Sequence, residues 1–362
     1  MKIFIVCNSL CAGGAERVGV NLANGFAHHG HKVYIITDIF QDAAYPVDEE
    51  VKVLPMTTSK CGKVKKYAQT LRNIRCYAKE FHPDVVIGMM HLASFLPLIA
   101  LIGMRIPVVL TIHHALTSIG YKISFKTKTI DRLSPILYTH TTVLTQIDLD
   151  ILKKYTSKLS VMPNPLTFIP ISKDSSKEKI VLAAGRVDDW HYKGFDILMQ
   201  AWNKVASENP DWKLVLAGKG SEQTINFLQS FLTDSVAREN TVFGGYCKDM
   251  LGLYSKASIY ALSSRSEGLP MVLIEAMSQG CAPVATANMG RTAEIITSDK
   301  EGLICQAENV DDLAEKLERL IKNEELRKDI QIHTVERAKF YSQENIVRMW
   351  EELFSSMRNT KY

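Results

Sequence analysis

The chain lacks the marks of secreted, membrane-spanning and dinucleotide-dependent proteins. Its seven cysteines (Cys7, Cys11, Cys61, Cys76, Cys247, Cys281 and Cys305) are odd in number and scattered, without a C-x-x-C pair. Neither a disulfide framework nor a thiolate zinc site is indicated. The opening MKIFIVCNSL runs into Cys11-Ala12-Gly13-Gly14 with no long apolar core and no cleavage pattern, so an export signal is not expected. With unpaired thiols, that points to a reducing cytoplasm. The longest apolar run, Leu92–Met104, is about 13 residues and is broken by Ser94 and Pro97. A spanning helix needs about 20, so this run reads as a buried helix beside a buried strand. There is no G-x-G-x-x-G fingerprint, and no D-x-D carboxylate pair stands clearly at a strand end. Gly 20 and Pro 12 are ordinary counts, which removes collagen-like and low-complexity readings. The net charge of +4 does not call for nucleic acid.

What is present is globular: 362 residues, 46% hydrophobic and 23% charged. At roughly 100–200 residues per domain, two domains are expected. Short Val- and Ile-rich runs at Ile3–Cys7, Val33–Thr37, Val85–Gly88, Val108–His113 and Thr142–Thr145 read as buried strands. Amphipathic stretches such as Arg17–His29 and Lys63–Phe81 lie between them, a pattern of βαβ units and a parallel sheet. Residues 163–179 hold three prolines and a polar run, which reads as a connection. A second series follows, with strands at Ile180–Ala184, Leu214–Ala217, Ser258–Leu262, Pro283–Thr286 and Leu303–Cys305. Helices are expected near Phe195–Ser207, Met250–Lys256, Met271–Gln279, Val310–Asn323 and along Glu324–Arg358. The division is a first α/β domain over 1–165, a linker over 166–179, a second α/β domain over 180–341, and a C-terminal helix over 342–362 able to pack back on the first domain.

Charge is unevenly shared. Residues 1–165 carry 19 Lys and Arg against 11 Asp and Glu, a net of +8, and the remainder carries 24 against 28, a net of −4. The first half therefore suits an anionic surface.

In open parallel sheets ligands bind at the carboxyl ends of the strands, and three motifs fall there. Asn8–Arg17 follows the first strand, and its Gly13-Gly14 either brings backbone and a helix N-terminus to an anion or serves a tight turn. Gly185-Arg186, with Lys193-Gly194 seven residues on, places two cations beside a helix start, suited to a pyrophosphate; the plainer reading is two surface charges in a loop. Ser266–Met277 places Pro270 at the first turn of a helix. Glu275 lies inside it, among Leu273, Ile274, Ala276 and Met277. A carboxylate there is costly unless paired; otherwise it lies on an exposed stripe.

In this order the motifs GGAER at 13–17, His113, GR…KG at 185–194, LAGKG at 216–220 and EGLPMVLIE at 267–275 resemble the retaining nucleotide-sugar glycosyltransferases of family four. The last matches that family's E-x7-E signature. The resemblance covers nearly the whole chain. It implies the GT-B fold: two Rossmann-like doubly wound domains facing across a cleft, with C-terminal helices. It implies that Arg186 and Lys193 hold a diphosphate, Glu275 the ribose, and Glu267 the transferred sugar. The backbone of Gly268, Leu269, Pro270, Met271 and Val272 would meet phosphates, and Gly245-Tyr246 the nucleobase. Gly13, Gly14 and His113 would close from the first domain. Glu267, His113, Arg186 and Lys193 would stand nearest the reaction. The donor is a UDP-sugar, UDP being favoured over GDP by family frequency. No metal or other cofactor is expected, and no protein nucleophile is nominated, because the departing phosphate oxygen helps deprotonate the acceptor. Two departures stand out: Lys193 follows Arg186 by seven residues where five is commoner, and a usual double glycine is reduced to Met289-Gly290-Arg291 before Glu294. Asn164-Pro165-Leu166 resembles the subset that builds capsule, exopolysaccharide or lipopolysaccharide.

Two basic-apolar stretches mark the first half. One holds Lys60, Lys63, Lys65, Lys66, Arg72, Arg75 and Lys79 with an apolar stripe at Val64, Tyr67, Leu71, Ile74 and Ala78. The other holds Tyr121, Lys122, Ile123, Phe125, Lys126, Lys128 and Arg132. Such surfaces suit anionic lipid or are solvated helix faces over a normal core. Expected partners are thus a nucleotide sugar, a glycan or lipid-linked acceptor and an anionic membrane at the inner face of the cell membrane, with no nucleic acid. Alternatives are a nucleotide-sugar epimerase or hydrolase using His113, His114 and Glu267, or a non-catalytic sugar-nucleotide-binding partner in polysaccharide assembly.

Overall fold

The computed structural model describes all residues except 12, 41–42, 58–61, 118–122, 173–175 and 360–362, and omits the side chains of 63 and 359. Expected residues Lys60, Cys61, Tyr121 and Lys122 lie outside the described set. The chain forms two compact units. The first takes Met1–Leu116, Ser124–Pro165 and the C-terminal segment from Gln343; the second takes Thr117, Ile123 and Leu166–Ser342.

In the first unit the strands are β1 Lys2–Val6, β2 Lys32–Thr37, β3 Lys52–Pro55, β4 Val85–Met89, β5 Val108–Thr111, β6 His140–Val143 and β7 Leu159–Val161. They form one sheet of order β3-β2-β1-β4-β5-β6-β7, each pair parallel. The helices are α1 Gly14–His28, α2 Lys63–Phe81, α3 Met90–Ala100, α4 Phe125–Leu133 and α5 Gln146–Leu152. Alternation along β1 divides the core between the two sheet faces. Ile3, Ile5 and Cys7 pack with Val18, Leu22 and Phe26 of α1. Phe4 and Val6 pack with Ile74 and Ala78 of α2 and Ala93 and Leu96 of α3.

The second unit holds β8 Glu178–Ala184, β9 Lys213–Ala217, β10 Thr241–Gly245, β11 Ala257–Leu262, β12 Ala282–Thr286 and β13 Leu303–Cys305, in the parallel order β10-β9-β8-β11-β12-β13. Its helices are α6 Trp190–Lys193, α7 Phe195–Val205, α8 Glu222–Gln229, α9 Ser235–Glu239, α10 Met250–Lys256, α11 Met271–Ser278, α12 Arg291–Ile295, α13 Val310–Lys322 and α14 Glu324–Ala338. α7 and α13 cover one face through Leu198, Trp202, Leu313 and Leu317. α10, α11 and α14 pack on strands β8, β11 and β12.

The last helix, α15 Gln343–Asn359, belongs to the first unit. Its Trp350 and Phe354 stack around Phe26 at 6.4 and 5.8 Å, and Gln343 Nε2 donates to the Asn21 carbonyl at 2.8 Å. The stretch after Pro165 is tied to the second unit rather than standing free: Leu166 N donates to Tyr341 O at 2.7 Å and Ile171 N to Ser278 O at 3.0 Å. Lys177 Nζ donates to the Tyr254 and Gln279 carbonyls at 3.0 and 2.5 Å.

Three strands have no counterpart among the expected runs: β3, β7 and β10. All three are edges, and their exposed or half-buried positions remove the continuous apolar signature of a strand buried on both faces. The apolar run at 92–104 is not the buried helix expected. α3 buries Ala93, Ser94, Leu96, Pro97 and Ala100, but Leu92, Phe95 and Ile99 remain exposed.

Candidate active site

The loop after β8 is shaped by two close backbone approaches. Gly218, at φ +155°, lies so near the Gly185 carbonyl that a Cβ there would strike it, and Gly194, at φ +63°, lies as near the Ser263 carbonyl. Residues 187–193 fold as a 3-10 turn, Val187–Asp189, followed by the single turn α6. Lys193 thus ends a short helix, and Gly194, in the left-handed region, turns the chain into α7. The longer spacing from Arg186 is absorbed in that turn. It is pinned to the end of β11: Arg265 N donates to Tyr192 O at 2.9 Å, Ser263 Oγ to Lys193 O at 2.9 Å, and Arg265 Nη1 to His191 O at 2.6 Å. Arg265 also grips Asp196 with both terminal nitrogens, at 2.7 and 2.8 Å.

That frame delivers the Lys193 ammonium to Glu267, with Nζ to Oε1 at 2.8 Å. Glu267 accepts a second hydrogen bond from Ser264 Oγ at 2.7 Å. The Tyr192 ring lies 5.6 Å from the Lys193 Nζ. Burial works against the ammonium, but the Glu267 charge and hydrogen bond outweigh it and hold Lys193 above the ordinary lysine range. The same burial and the Glu267 carboxylate push the Tyr192 phenol up. Arg186 does not join the pair. Its side chain is 83% exposed and meets Asp189 at 2.7 Å. One cation is therefore held by Glu267, and the other pairs with Asp189 at the surface.

After β11 the backbone of Glu267 is clamped on both sides by Asn288: N donates to Asn288 Oδ1 at 3.1 Å, and Asn288 Nδ2 donates to the Glu267 carbonyl at 3.2 Å. Asn288 and Met289 take φ values of 43° and 55°. Left-handed backbone at two consecutive non-glycine residues costs on the order of 1–3 kcal/mol each, and here it aims the Asn288 amide at Glu267. Pro270 is the N-cap of α11 rather than its first helical residue. Gly268, Leu269, Met271 and Val272 surround that helix start. Glu275, 1% exposed, is no surface stripe. It accepts from Thr167 Oγ1 at 3.1 Å and Tyr254 OH at 3.3 Å. Gly245, at φ +64°, accepts from Gly218 N at 2.8 Å, and the neighbouring Tyr246 ring is 72% exposed.

In the first unit Gly13 caps α1 and Gly14 opens it. The Glu16 carboxylate folds back over Gly13, whereas a Cβ on Gly14 would meet nothing within 4 Å. His113 lies just past β5, with Nδ1 3.0 Å from Asn164 Oδ1 and Nε2 2.8 Å from Thr111 Oγ1. Burial lowers its pKa to about 4, against the Asn164 hydrogen bond and with help from the His114 charge, so the ring is neutral near pH 7. Asp148-Leu149-Asp150 has D-x-D spacing but lies in α5. Asp148 holds the Leu116 N–H and the Thr145 hydroxyl, while Asp150 faces Lys153.

The basic stretch of α2 is partly spent on structure. Lys66 pairs with Asp38 at 2.8 Å, and Arg75 donates to the Ala100 and Ile102 carbonyls at 2.8 and 3.1 Å. Of its stripe, Ile74 and Ala78 are core, while Val64 and Tyr67 are exposed. A groove of about 680 Å³ is lined by Leu92, Phe95, Ile130, Leu133, Ile136 and Leu137, among others. Lys126 and Lys128 are exposed on α4 beside it. Among the described residues no helix is long and apolar enough to cross a membrane.

Comparison with known proteins decides the family. Residues 12–167 match the family described as Glycosyltransferase Family 4, and residues 167–336 match Glycosyl transferases group 1. The chain is a family-four glycosyltransferase. The enzyme has the GT-B fold. It superposes on a glycosyltransferase from Rickettsia africae with a TM-score of 0.79 at 18% identity, over 99% of both chains. It superposes on Anabaena HepE in complex with UDP and glucose with a TM-score of 0.75 at 18% identity, over 98% of this chain and 100% of that one. By sequence the glycosyltransferase is 28% identical over 370 residues to a Campylobacter jejuni enzyme, covering 99% of each chain. That relative is named GalNAc-alpha-(1->4)-GalNAc-alpha-(1->3)-diNAcBac-PP-undecaprenol alpha-1,4-N-acetyl-D-galactosaminyltransferase.

Sequence reasoning missed Asn288, Ser264, Arg265, Thr167 and Tyr254. Each acts on a nominated residue, and none carries a motif of its own. The signal for Asn288 was faint: an Asn two residues before a glycine, where left-handed backbone is tolerated.

Proposed function

We propose that this glycosyltransferase moves a hexose or N-acetylhexosamine from a UDP-sugar to a glycan or lipid-linked acceptor in cell-surface polysaccharide biosynthesis, with retention at the anomeric carbon and without a metal in the transfer step. The observation that carries the reading is the buried Lys193–Glu267 pair at the carboxyl end of the second sheet, 2.8 Å apart and beside the start of α11. An ammonium has three donors. Glu267 takes one, and the remainder suit a diphosphate whose negative charge grows as the sugar leaves. The exposed Arg186 closes on the same phosphates when donor arrives. The α11 N-terminus adds partial positive charge. Glu267 then accepts hydroxyls of the sugar and Glu275 those of the ribose, while Tyr246 offers a ring for the base. HepE, named as a complex with UDP and glucose, and the Campylobacter jejuni relative with its undecaprenol-linked acceptor, favour UDP and a lipid-linked acceptor. The apolar groove with Lys126 and Lys128 beside it supports peripheral contact with an anionic membrane, each cation contributing about 1 kcal/mol near the surface.

A thermal-shift screen of UDP-, GDP- and ADP-sugars in EDTA tests the donor class, because a ligand that favours the native state raises its melting temperature. The winning donor is then incubated with membrane extracts and the anomeric configuration of the product is read by NMR. Failure of every sugar nucleotide to stabilise the protein, or donor binding that needs added Mg²⁺, overturns the reading. Epimerised or hydrolysed sugar from donor alone selects the other reaction.

A further inference from the structure

A second constellation lies in the first unit, among residues not assigned to donor binding. His91 is the second residue of α3, just after β4, His114 follows β5 by three residues, and Asp131 sits in the last turn of α4. The three converge. His91 Nε2 lies 2.6 Å from Asp131 Oδ1, and His114 Nε2 lies 3.1 Å from both carboxylate oxygens. One ligand atom from each residue falls within 4.8 Å of the others. Asp131 is 2% exposed. A buried carboxylate is costly unless it is hydrogen-bonded or paired, and this one, held by the two imidazoles, also stands at the negative end of a helix, which disfavours it further. Met90, the residue before His91, holds φ +71°. A left-handed methionine is strained, and such strain gathers where a side chain must be aimed.

We propose that His91, His114 and Asp131 bind one zinc(II) ion through two Nε2 atoms and one carboxylate oxygen, with the remaining position taken by water or an exogenous anion. Two imidazoles and a carboxylate are a ligand set suited to Zn²⁺. A shift of each ring proton from Nε2 to Nδ1 frees both lone pairs with no net proton release. Ser134 Oγ, 3.5 Å from His91 Nδ1, is then placed to accept the relocated proton and hold the ring. The ion neutralises the buried carboxylate and ties together the ends of β4 and β5 and helix α4. His91 and Ser134 also line the apolar groove, so the ion would mark its polar end. The inference is independent of the donor chemistry.

The test uses the full chain, stripped with EDTA and titrated with ZnCl₂ by calorimetry. Expected are saturable binding of one equivalent and a rise in melting temperature with free zinc. His91→Ala, His114→Ala and Asp131→Asn should each weaken binding by more than the roughly 10–100-fold that loss of a mere supporting partner costs. Cys76→Ser, at an exposed thiol, should leave it unchanged. X-ray absorption at the zinc edge of the wild-type protein avoids any variant that fails to fold. Two imidazoles in a nitrogen and oxygen shell support the site. A sulfur shell, no saturable equivalent, or affinity indifferent to the three substitutions overturns it.

Discussion

Lys193→Ala separates what the ammonium does for stability from what it does for transfer. In the ligand-free protein its loss strands Glu267 with Ser264 Oγ and the Asn288 clamp. Breaking a buried ion pair by removing one partner costs about 3–5 kcal/mol. Lys193 and Glu267 keep 19% and 11% side-chain exposure and the Ser264 hydroxyl remains, which brings the expected loss to about 2–3 kcal/mol. At about 2–4 °C per kcal/mol for a unit of this size, the melting temperature should fall by roughly 4–12 °C. On the proposed donor reading, catalysis loses a different quantity, the charge-assisted contact to the diphosphate. At about 1.5–3 kcal/mol it corresponds to a roughly 10- to 150-fold fall in kcat/KM. Adding Glu267→Gln removes the stranded charge. The double variant should regain part of the melting temperature while its kcat/KM stays low. Melting curves and UDP-release kinetics on the three variants read both axes. A folded Lys193→Ala enzyme with unchanged kcat/KM, or a double variant in which transfer returns together with stability, would refute the diphosphate role.

Glu275→Gln keeps the shape but loses the charge and turns one acceptor oxygen into a donor, so UDP affinity should fall by about 1–2 kcal/mol, or 5- to 30-fold, by calorimetry; an unchanged Kd removes Glu275 from the ribose. Gly194→Ala places a methyl group against the Ser263 carbonyl at a positive φ. The chain must move, and stability should fall by about 3 kcal/mol or more together with kcat/KM; native values of both would mean that the turn does not position Lys193. Trp350→Ala should cost about 3–5 kcal/mol in denaturant unfolding, since the ring is 2% exposed and packed between Phe26 and Phe354; a loss below about 1 kcal/mol would mean that α15 is not integral to the first unit. Glu351 accepts from His31 and His29 at 2.8 and 3.3 Å; burial opposes its charge, but these partners hold its pKa below the ordinary glutamate value. Its contribution is therefore present above the unfolded value and is lost as pH falls through the lowered one. Stability of Glu351→Gln should depend less on pH below about 4.5 than that of the wild type, and coincident acid limbs would exclude the pairing.

How much was legible from sequence follows the burial of each element. β1, β4, β8, β11 and β12 lie inside their sheets, covered on both faces, and the run of Ile, Val, Leu and Ala that marks them on paper is the same run that fills the core. β3, β7 and β10 are edges. Lys52 and Val53 of β3 are exposed, as are Val242 and Gly244 of β10, so their strand character comes from pairing with a neighbour. That information resides in the neighbour. The apolar run of α3 misled for the converse reason. Apolar composition marks a face that something covers, and in this unit Leu92, Phe95 and Ile99 have no covering element of the core.

The site shows the same division between intrinsic and relational information. Glu275 was readable because an acidic residue among four apolar ones in a helix must find partners. Which partners, Thr167 and Tyr254, depends on segments 108 and 21 residues away. Lys193 was readable by motif although its spacing departs from the commoner five residues. Two extra residues in a loop ordinarily move a side chain by up to ~7 Å. Here they are wound into α6, and the returned length is fixed by Gly194 against Ser263 and by Arg265 on His191, Tyr192 and Asp196. Arg265 therefore compensates for the insertion. If so, shortening 187–192 by two residues should not by itself restore a tighter site, because the Arg265 bonds to His191 and Tyr192 would be lost with the turn. Transfer should fall further unless Arg265 is changed as well, and a shortened loop with undiminished kcat/KM would show that Lys193 is placed by its motif and Gly194 alone.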